Sequence, residues 1–94
     1  MGSPRLLGQA LEDWIRQAGL EKPFYEARAA VEWFEVAGPQ IARVTQKAWV
    51  ERGRLYVRIA SPVWRQELHL SRSHWRERIN ERLGRAVIEE VVFC

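Results

Sequence analysis

The fold is decided by the stretch Thr45-Gln46-Lys47-Ala48-Trp49-Val50-Glu51-Arg52-Gly53-Arg54-Leu55-Tyr56-Val57-Arg58-Ile59-Ala60. On each side of Glu51-Arg52-Gly53-Arg54, apolar residues alternate with polar or aromatic ones, and a period of two is typical of β-strands that bury one face. The stretch therefore predicts a β-hairpin closed by a four-residue loop.

The pairing of the two strands determines which side chains share a face of the sheet. If Val50 pairs with Leu55, successive cross-strand pairs alternate between the core and the opposite face. The opposite face then receives two pairs, Trp49 with Tyr56 and Lys47 with Arg58. The sequence thus predicts one sheet face that is aromatic and basic.

Two amphipathic helices are predicted upstream of the hairpin, because apolar residues recur there at spacings of three and four. The first spans residues 5 to 18 and the second residues 24 to 37, where Gly38-Pro39 ends it. Their apolar stripes are Leu6, Leu7, Ala10, Leu11, Trp14, Ile15 and Ala18 in the first helix, and Phe24, Ala27, Ala30, Val31 and Phe34 in the second. We expect the stripe of the first helix to complete the core.

Two further helices and a last strand are predicted downstream of the hairpin. Ser61-Pro62 supplies an N-cap and a proline for the first helical position, and a second helix start follows at Ser71 or Ser73. Residues 86 to 93 are apolar and β-branched, which favours a strand. Three tryptophans at apolar helical positions are expected to pack into the core: Trp33, Trp64 and Trp75.

The resulting order, α-α-β-β-α-α-β, predicts an α+β fold with a small three-stranded mixed sheet covered by helices on one face. The last six elements follow the order of a type II KH domain, so residues 1 to 94 are predicted to form one KH-like domain with an N-terminal helix in residues 1 to 20. KH domains clamp a nucleotide backbone with a G-x-x-G loop. The corresponding stretch here, Leu70-Ser71-Arg72-Ser73-His74, contains no glycine.

Length and composition exclude several classes of protein. A chain of 94 residues has room for one compact domain and not for a two-domain enzyme. No apolar run approaches the roughly 18 residues of a membrane span, and the N-terminal apolar stretch is too short for a signal peptide. His69, His74 and Cys94 lack the number and spacing of zinc ligands, and no catalytic triad or glycine-rich phosphate loop is evident. The sequence therefore predicts a cytoplasmic, non-enzymatic protein without a membrane contact, metal, cofactor or small-molecule substrate.

Positive charge is concentrated in the middle of the chain. Residues 43 to 85 hold eleven basic and four acidic residues, a net charge of +7, whereas the segments before and after each have a net charge of −2. A basic segment of this kind is typical of a surface that contacts phosphates, although a solvated arginine-rich surface has the same composition.

Ten residues of this segment are candidate DNA contacts: Lys47, Trp49, Arg54, Tyr56, Arg58, Arg65, Arg72, Arg76, Arg78 and Arg82. The aromatic pair is suited to stacking on bases while basic neighbours neutralise phosphates. Alternatively, the first helix packs over this aromatic pair, or the pair contacts a second copy of the chain. Each arginine of the two late helices can donate two hydrogen bonds to a phosphate, or can pair with Glu67, Glu77 or Glu81 instead.

Three stretches together resemble one known family. They are Trp33-Phe34-Glu35-Val36-Ala37-Gly38-Pro39-Gln40-Ile41-Ala42, then Gly53-Arg54-Leu55-Tyr56-Val57-Arg58-Ile59-Ala60-Ser61-Pro62-Val63-Trp64-Arg65-Gln66-Glu67-Leu68, and then Ile79-Asn80-Glu81-Arg82-Leu83-Gly84. Over residues 26 to 94 the chain resembles the DciA family of bacterial replicative-helicase operators. The resemblance implies a KH-like domain that binds DNA and helps to place or activate the hexameric replicative helicase on it.

Three functional hypotheses follow. The first is a DNA-binding accessory to the replicative helicase, acting on single-stranded or forked DNA, whose affinity for DNA falls steeply with salt. The second is a protein-binding adaptor without direct DNA contact, whose affinity for its partner changes little with salt. The third is an RNA-binding KH-like module, which the missing G-x-x-G loop disfavours.

Overall fold

A computed structural model describes residues 4 to 94, with side chains from residue 7 onward. The predicted order of elements is confirmed: α1 (Pro4–Gln17), α2 (Glu21–Val44), β1 (Thr45–Glu51), β2 (Arg54–Ile59), α3 (Pro62–Leu70), α4 (Arg72–Leu83) and β3 (Glu90–Phe93). The fold is α+β with one three-stranded mixed sheet, as the sequence predicted. None of the helices in residues 4 to 94 is long and apolar enough to cross a membrane.

The sheet has the order β1-β2-β3, in which β1 and β2 are antiparallel and β2 and β3 are parallel. The predicted register is confirmed, because Val50 pairs with Leu55. The two pairs predicted on the opposite face, Trp49 with Tyr56 and Lys47 with Arg58, also form.

The hairpin loop is shorter than the four residues predicted. Glu51 pairs with Arg54, which leaves a turn of only Arg52 and Gly53. Their φ angles are both positive, at 52° and 79°, as in the type I′ turn whose twist matches that of the flanking strands. Glycine adopts this conformation without strain, so Gly53 permits the tight turn.

The strand β3 begins later than predicted, at Glu90 rather than near residue 86. The cause is the side chain of Asn80 on α4, which bonds the backbone of the preceding loop. Its Oδ1 accepts hydrogen bonds from the N–H groups of Val87 (3.1 Å) and Ile88 (2.9 Å), and its Nδ2 donates to the Ile88 carbonyl (2.9 Å). These bonds satisfy backbone groups that strand pairing would otherwise satisfy.

Replacing Asn80 by alanine should lower the free energy of unfolding by about 2 to 3 kcal/mol, because it leaves the N–H and carbonyl groups of Ile88 without partners. Urea denaturation followed by tryptophan fluorescence measures the loss. Glu81→Ala on the same helix removes only an exposed side chain and should change stability by less than about 0.5 kcal/mol. Equal losses in the two variants would show that Asn80 does not pin the loop.

The core lies between one face of the sheet and the helices α2, α3 and α4. Its largest side chains that are 1% exposed or less are Trp33, Leu55, Val57, Ile59, Ile79 and Val91. The Trp33 ring lies 5.3 Å from the Trp75 ring and 5.5 Å from the Phe93 ring, measured between centroids. Trp64 and Trp75 are half-buried against this cluster, so the prediction that all three helical tryptophans pack into the core is confirmed.

The apolar stripe of α1 does not complete the core, and that prediction was wrong. Leu7, Leu11 and Trp14 are 64%, 55% and 60% exposed. The helix extends from the rest of the molecule, and the principal axes of the whole measure 51, 26 and 20 Å. The radius of gyration, 14.9 Å, exceeds the value of about 12 Å for a compact chain of this length.

The helix α2 is apolar on two faces, and only one of them is buried. The buried face carries Ala29 and Trp33, whereas Phe24, Val31 and Phe34, all from the stripe identified in the sequence, are exposed. Gly38 interrupts the helix (φ 83°, ψ 170°) where its end was predicted, and a second helical segment continues to Val44.

Candidate nucleic-acid interface

Four of the predicted contact residues lie together on the sheet face opposite the core, and we call them the sheet surface: Lys47, Trp49, Tyr56 and Arg58. The rings of Trp49 and Tyr56 stack, with 5.4 Å between their centroids and 11° between their planes. The Lys47 Nζ lies 5.1 Å from the centroid of the Trp49 ring, and the Arg58 Cζ lies 5.3 Å from it. Two cations therefore flank one aromatic stack.

The alternation of β2 produces this surface. Leu55, Val57 and Ile59 point into the core, so the intervening Tyr56 and Arg58 must point away from it. Tyr56 is half-buried beside its stacking partner, and Arg58 is exposed. The apolar stripe of α1 is itself exposed, so it does not serve as a cover for the aromatic pair.

A second basic site lies at the edge of β3. Arg54, Arg72 and Arg76 line a cavity of about 300 Å³, together with Ser73, Glu89, Glu90 and Val91. The Arg54 Nε lies 3.3 Å from the Glu90 carboxylate. The Tyr56 hydroxyl, and then the charge of Glu90, raise the pKa of Arg54 above its ordinary value. Arg54 remains cationic. It lies on the same face of β2 as Tyr56 and also lines this cavity, so it connects the sheet surface to the cavity.

The other three predicted contact residues lie elsewhere. Arg65 donates from Nη2 to the Ile59 carbonyl (3.1 Å), so it supports the end of β2. Arg82 donates from Nε to the Glu32 carboxylate (2.9 Å) and thereby ties α4 to α2. Arg78 is exposed and lies one helical turn before Arg82, on the same side of α4. The ten candidates thus do not form one continuous surface.

A third group of cations was not predicted from the sequence. Lys22, Arg52 and Arg85 line a cavity of about 550 Å³ between the start of α2, the hairpin turn and the loop before β3. The Arg85 guanidinium lies 4.7 Å from the centroid of the Tyr25 ring and 3.0 Å from the Glu21 carboxylate. Because these cations come from three distant segments, no local sequence pattern signals the group.

The connection between α3 and α4 occupies the place of a KH G-x-x-G loop, and it consists of Ser71 alone. The Ser71 hydroxyl donates to the Leu68 carbonyl (3.3 Å) and accepts from the Trp75 Nε1 (3.1 Å). A connection of one residue, whose side chain is already bonded, provides no loop that could clamp a nucleotide backbone.

Comparison with known families decides the membership of the chain. The model of one family, described as DciA, the Dna[CI] antecedent, matches residues 6–93. The chain belongs to the DciA family. DciA is a family of non-enzymatic factors related to helicase loading, so this DciA protein is an accessory of DNA replication with a helicase as partner. No curated protein matches the chain. The DciA match includes α1, whereas the resemblance found in the sequence began near residue 26.

Proposed function

We propose that this DciA protein binds single-stranded or forked DNA through the sheet surface and presents it to the hexameric replicative helicase, without catalysing a reaction itself. The observation that supports this most directly is the Trp49–Tyr56 stack flanked by Lys47 and Arg58 on the sheet face away from the core. Residues 1 to 94 would act as one KH-like unit in the cytoplasm, where bacterial DNA is replicated.

The sheet surface combines the two kinds of contact that single-stranded DNA requires. A base can extend the aromatic stack, and each base stacked on an aromatic side chain contributes about 1 to 3 kcal/mol. Lys47 and Arg58 form a cross-strand pair beside the same ring, so they can neutralise phosphates next to the stacked base.

The DNA backbone can continue from the sheet surface toward Arg72 and Arg76. Arg54 lies between the two sites. The Arg72 Nη1 donates to the His69 carbonyl (3.0 Å) and the Arg76 Nη2 lies 3.7 Å from the Glu77 carboxylate, so their remaining N–H groups can bond a phosphate. This path accounts for seven of the ten predicted contact residues. It leaves out Arg65, Arg78 and Arg82, which do not line this cavity.

The stack also favours one form of nucleic acid. Bases in a duplex are already stacked on their neighbours, whereas unpaired bases are free to stack on Trp49. We therefore expect single-stranded and forked DNA to bind more tightly than duplex DNA. The absence of a G-x-x-G loop at Ser71 supports DNA rather than the RNA that KH modules clamp.

Fluorescence anisotropy of labelled single-stranded, duplex and forked DNA and a matched RNA tests the proposal. If each of the five cations on this path contacts one phosphate, the affinity for single-stranded DNA should fall roughly 130-fold between about 50 and about 200 mM salt. Trp49→Ala should weaken binding at both salt concentrations by the same factor, because stacking releases no counterions. Preference for RNA would support an RNA-binding module, and no binding at low salt would support an adaptor that reaches DNA only through its partner.

A further inference from the structure

A second surface covers the outward sides of α1 and of the first half of α2, and we call it the helical surface. Seven large apolar side chains here are 41% to 66% exposed: Leu7, Leu11, Trp14, Leu20, Phe24, Val31 and Phe34. Leu11, Trp14 and Phe24 also line an open apolar groove of about 440 Å³ at the junction of the two helices. Large exposed apolar side chains around such a groove mark a site of protein interaction.

The border of the helical surface is acidic. Helical spacing places Glu12 beside the stripe of α1, and it places Glu26 and Glu35 on the two sides of the stripe of α2. Within residues 7 to 94, none of these three carboxylates forms an ion pair. Glu12 and Glu35 are exposed, and Glu26 is half-buried.

Two cations of the same two helices pair with carboxylates of this chain, and a third, Lys22, lies in the cavity that Arg52 and Arg85 also line. The Arg16 guanidinium lies 3.4 Å from the Asp13 carboxylate and 3.5 Å from the Glu21 carboxylate. The Arg28 guanidinium lies 3.9 Å from the Glu32 carboxylate. The helical surface therefore combines an apolar centre with uncompensated negative charge.

We propose that the helical surface docks an amphipathic helix of a protein partner, one whose apolar stripe is bordered by lysine or arginine. Such a helix can place apolar side chains at spacings of three and four into the groove beside Trp14, as helix-in-groove complexes do. Its basic border then faces Glu12, Glu26 and Glu35, which favours this partner over an acidic one. A second copy of the chain is disfavoured, because two helical surfaces in contact bring like charges together.

Two synthetic peptides of about 18 residues, long enough for helix formation, test the proposal with the full chain. They share one leucine stripe, which is bordered by lysine in the first peptide and by glutamate in the second. By fluorescence anisotropy, the lysine-bordered peptide should bind at least ten times more tightly. Leu11→Ser combined with Phe34→Ser should weaken its binding at least tenfold, whereas Trp49→Ala should leave it unchanged.

A charge-swapped variant separates electrostatic recognition from apolar adhesion. Glu12→Lys combined with Glu35→Lys should reverse the preference, so that the glutamate-bordered peptide binds more tightly.

Equal binding of both peptides, or no binding of either, overturns the proposal. A dimer in sedimentation equilibrium that dissociates in the Leu11→Ser, Phe34→Ser variant would also overturn it, because the occupant would then be a second copy. The Leu11, Phe34 variant and the Glu12, Glu35 variant should bind DNA as the unaltered protein does, so failure here is distinct from failure of the DNA-binding proposal.

Discussion

Replacing Lys47 and Arg58 together by glutamate is expected to weaken binding of single-stranded DNA by about a hundredfold or more at low salt. The two cations lie 5.1 and 5.3 Å from the centroid of the Trp49 ring, so phosphates next to a base stacked there meet them first. A lost charge contact worth about 1.4 kcal/mol costs a factor of ten, and the new carboxylates add repulsion. Fluorescence anisotropy measures the affinity. Because both side chains are exposed, thermal unfolding should be unchanged.

The control for this variant has the same change in net charge at another place. Arg16→Glu combined with Lys22→Glu alters exposed cations of α1 and α2, and it should reduce DNA affinity by less than about threefold, because salt screens distant charges. If the two double variants lose affinity equally, DNA responds to net charge alone and the sheet surface is not the site.

The replacement Trp33→Ala is expected to lower the free energy of unfolding by about 3 to 5 kcal/mol. The Trp33 side chain is fully buried, packs against Trp75 and Phe93, and donates from Nε1 to the Thr45 hydroxyl (3.2 Å). Small domains have only about 5 to 15 kcal/mol of stability in total, so this variant should be partly unfolded at 37 °C. Urea and thermal denaturation followed by circular dichroism measure the change.

Trp14→Ala is the matched control, because it removes the same side chain from α1, where that side chain is 60% exposed. We expect a change of less than about 0.5 kcal/mol. A loss as large as that of Trp33→Ala would mean that α1 packs onto the core in solution, which would contradict the exposed position of its stripe.

The sheet surface was predictable because it depends on local pattern alone. Once Val50 pairs with Leu55, the period of two places Trp49, Tyr56 and Arg58 on the same face, whatever the helices do. The length of the turn was not predictable from the alternation. Glu51 and Arg54 form a cross-strand pair only when Arg52 and Gly53 both adopt positive φ, and the alternation does not show this.

The partners of the arginines on α3 and α4 could not be predicted from local pattern. The carboxylate partner of Arg82 is Glu32, fifty residues earlier in the chain, and not one of the nearby glutamates that helical spacing suggested. The backbone partner of Arg65, the Ile59 carbonyl, lies at the end of the preceding strand. Only the packing of α4 against α2, and of α3 against the sheet, determines which guanidinium groups remain available to a phosphate.

By itself, the sequence determined the order of the seven elements, the register of the hairpin and the aromatic and basic character of one sheet face, because these follow from periodicity and turn chemistry over short distances. The tertiary structure alone decided which apolar stripes are buried. Both α1 and α2 carry stripes that would suit a core, but the volume between the sheet and the helices is filled by Trp33 and its neighbours. The stripes with Trp14 and Phe34 consequently face outward, where they form a surface instead of a core.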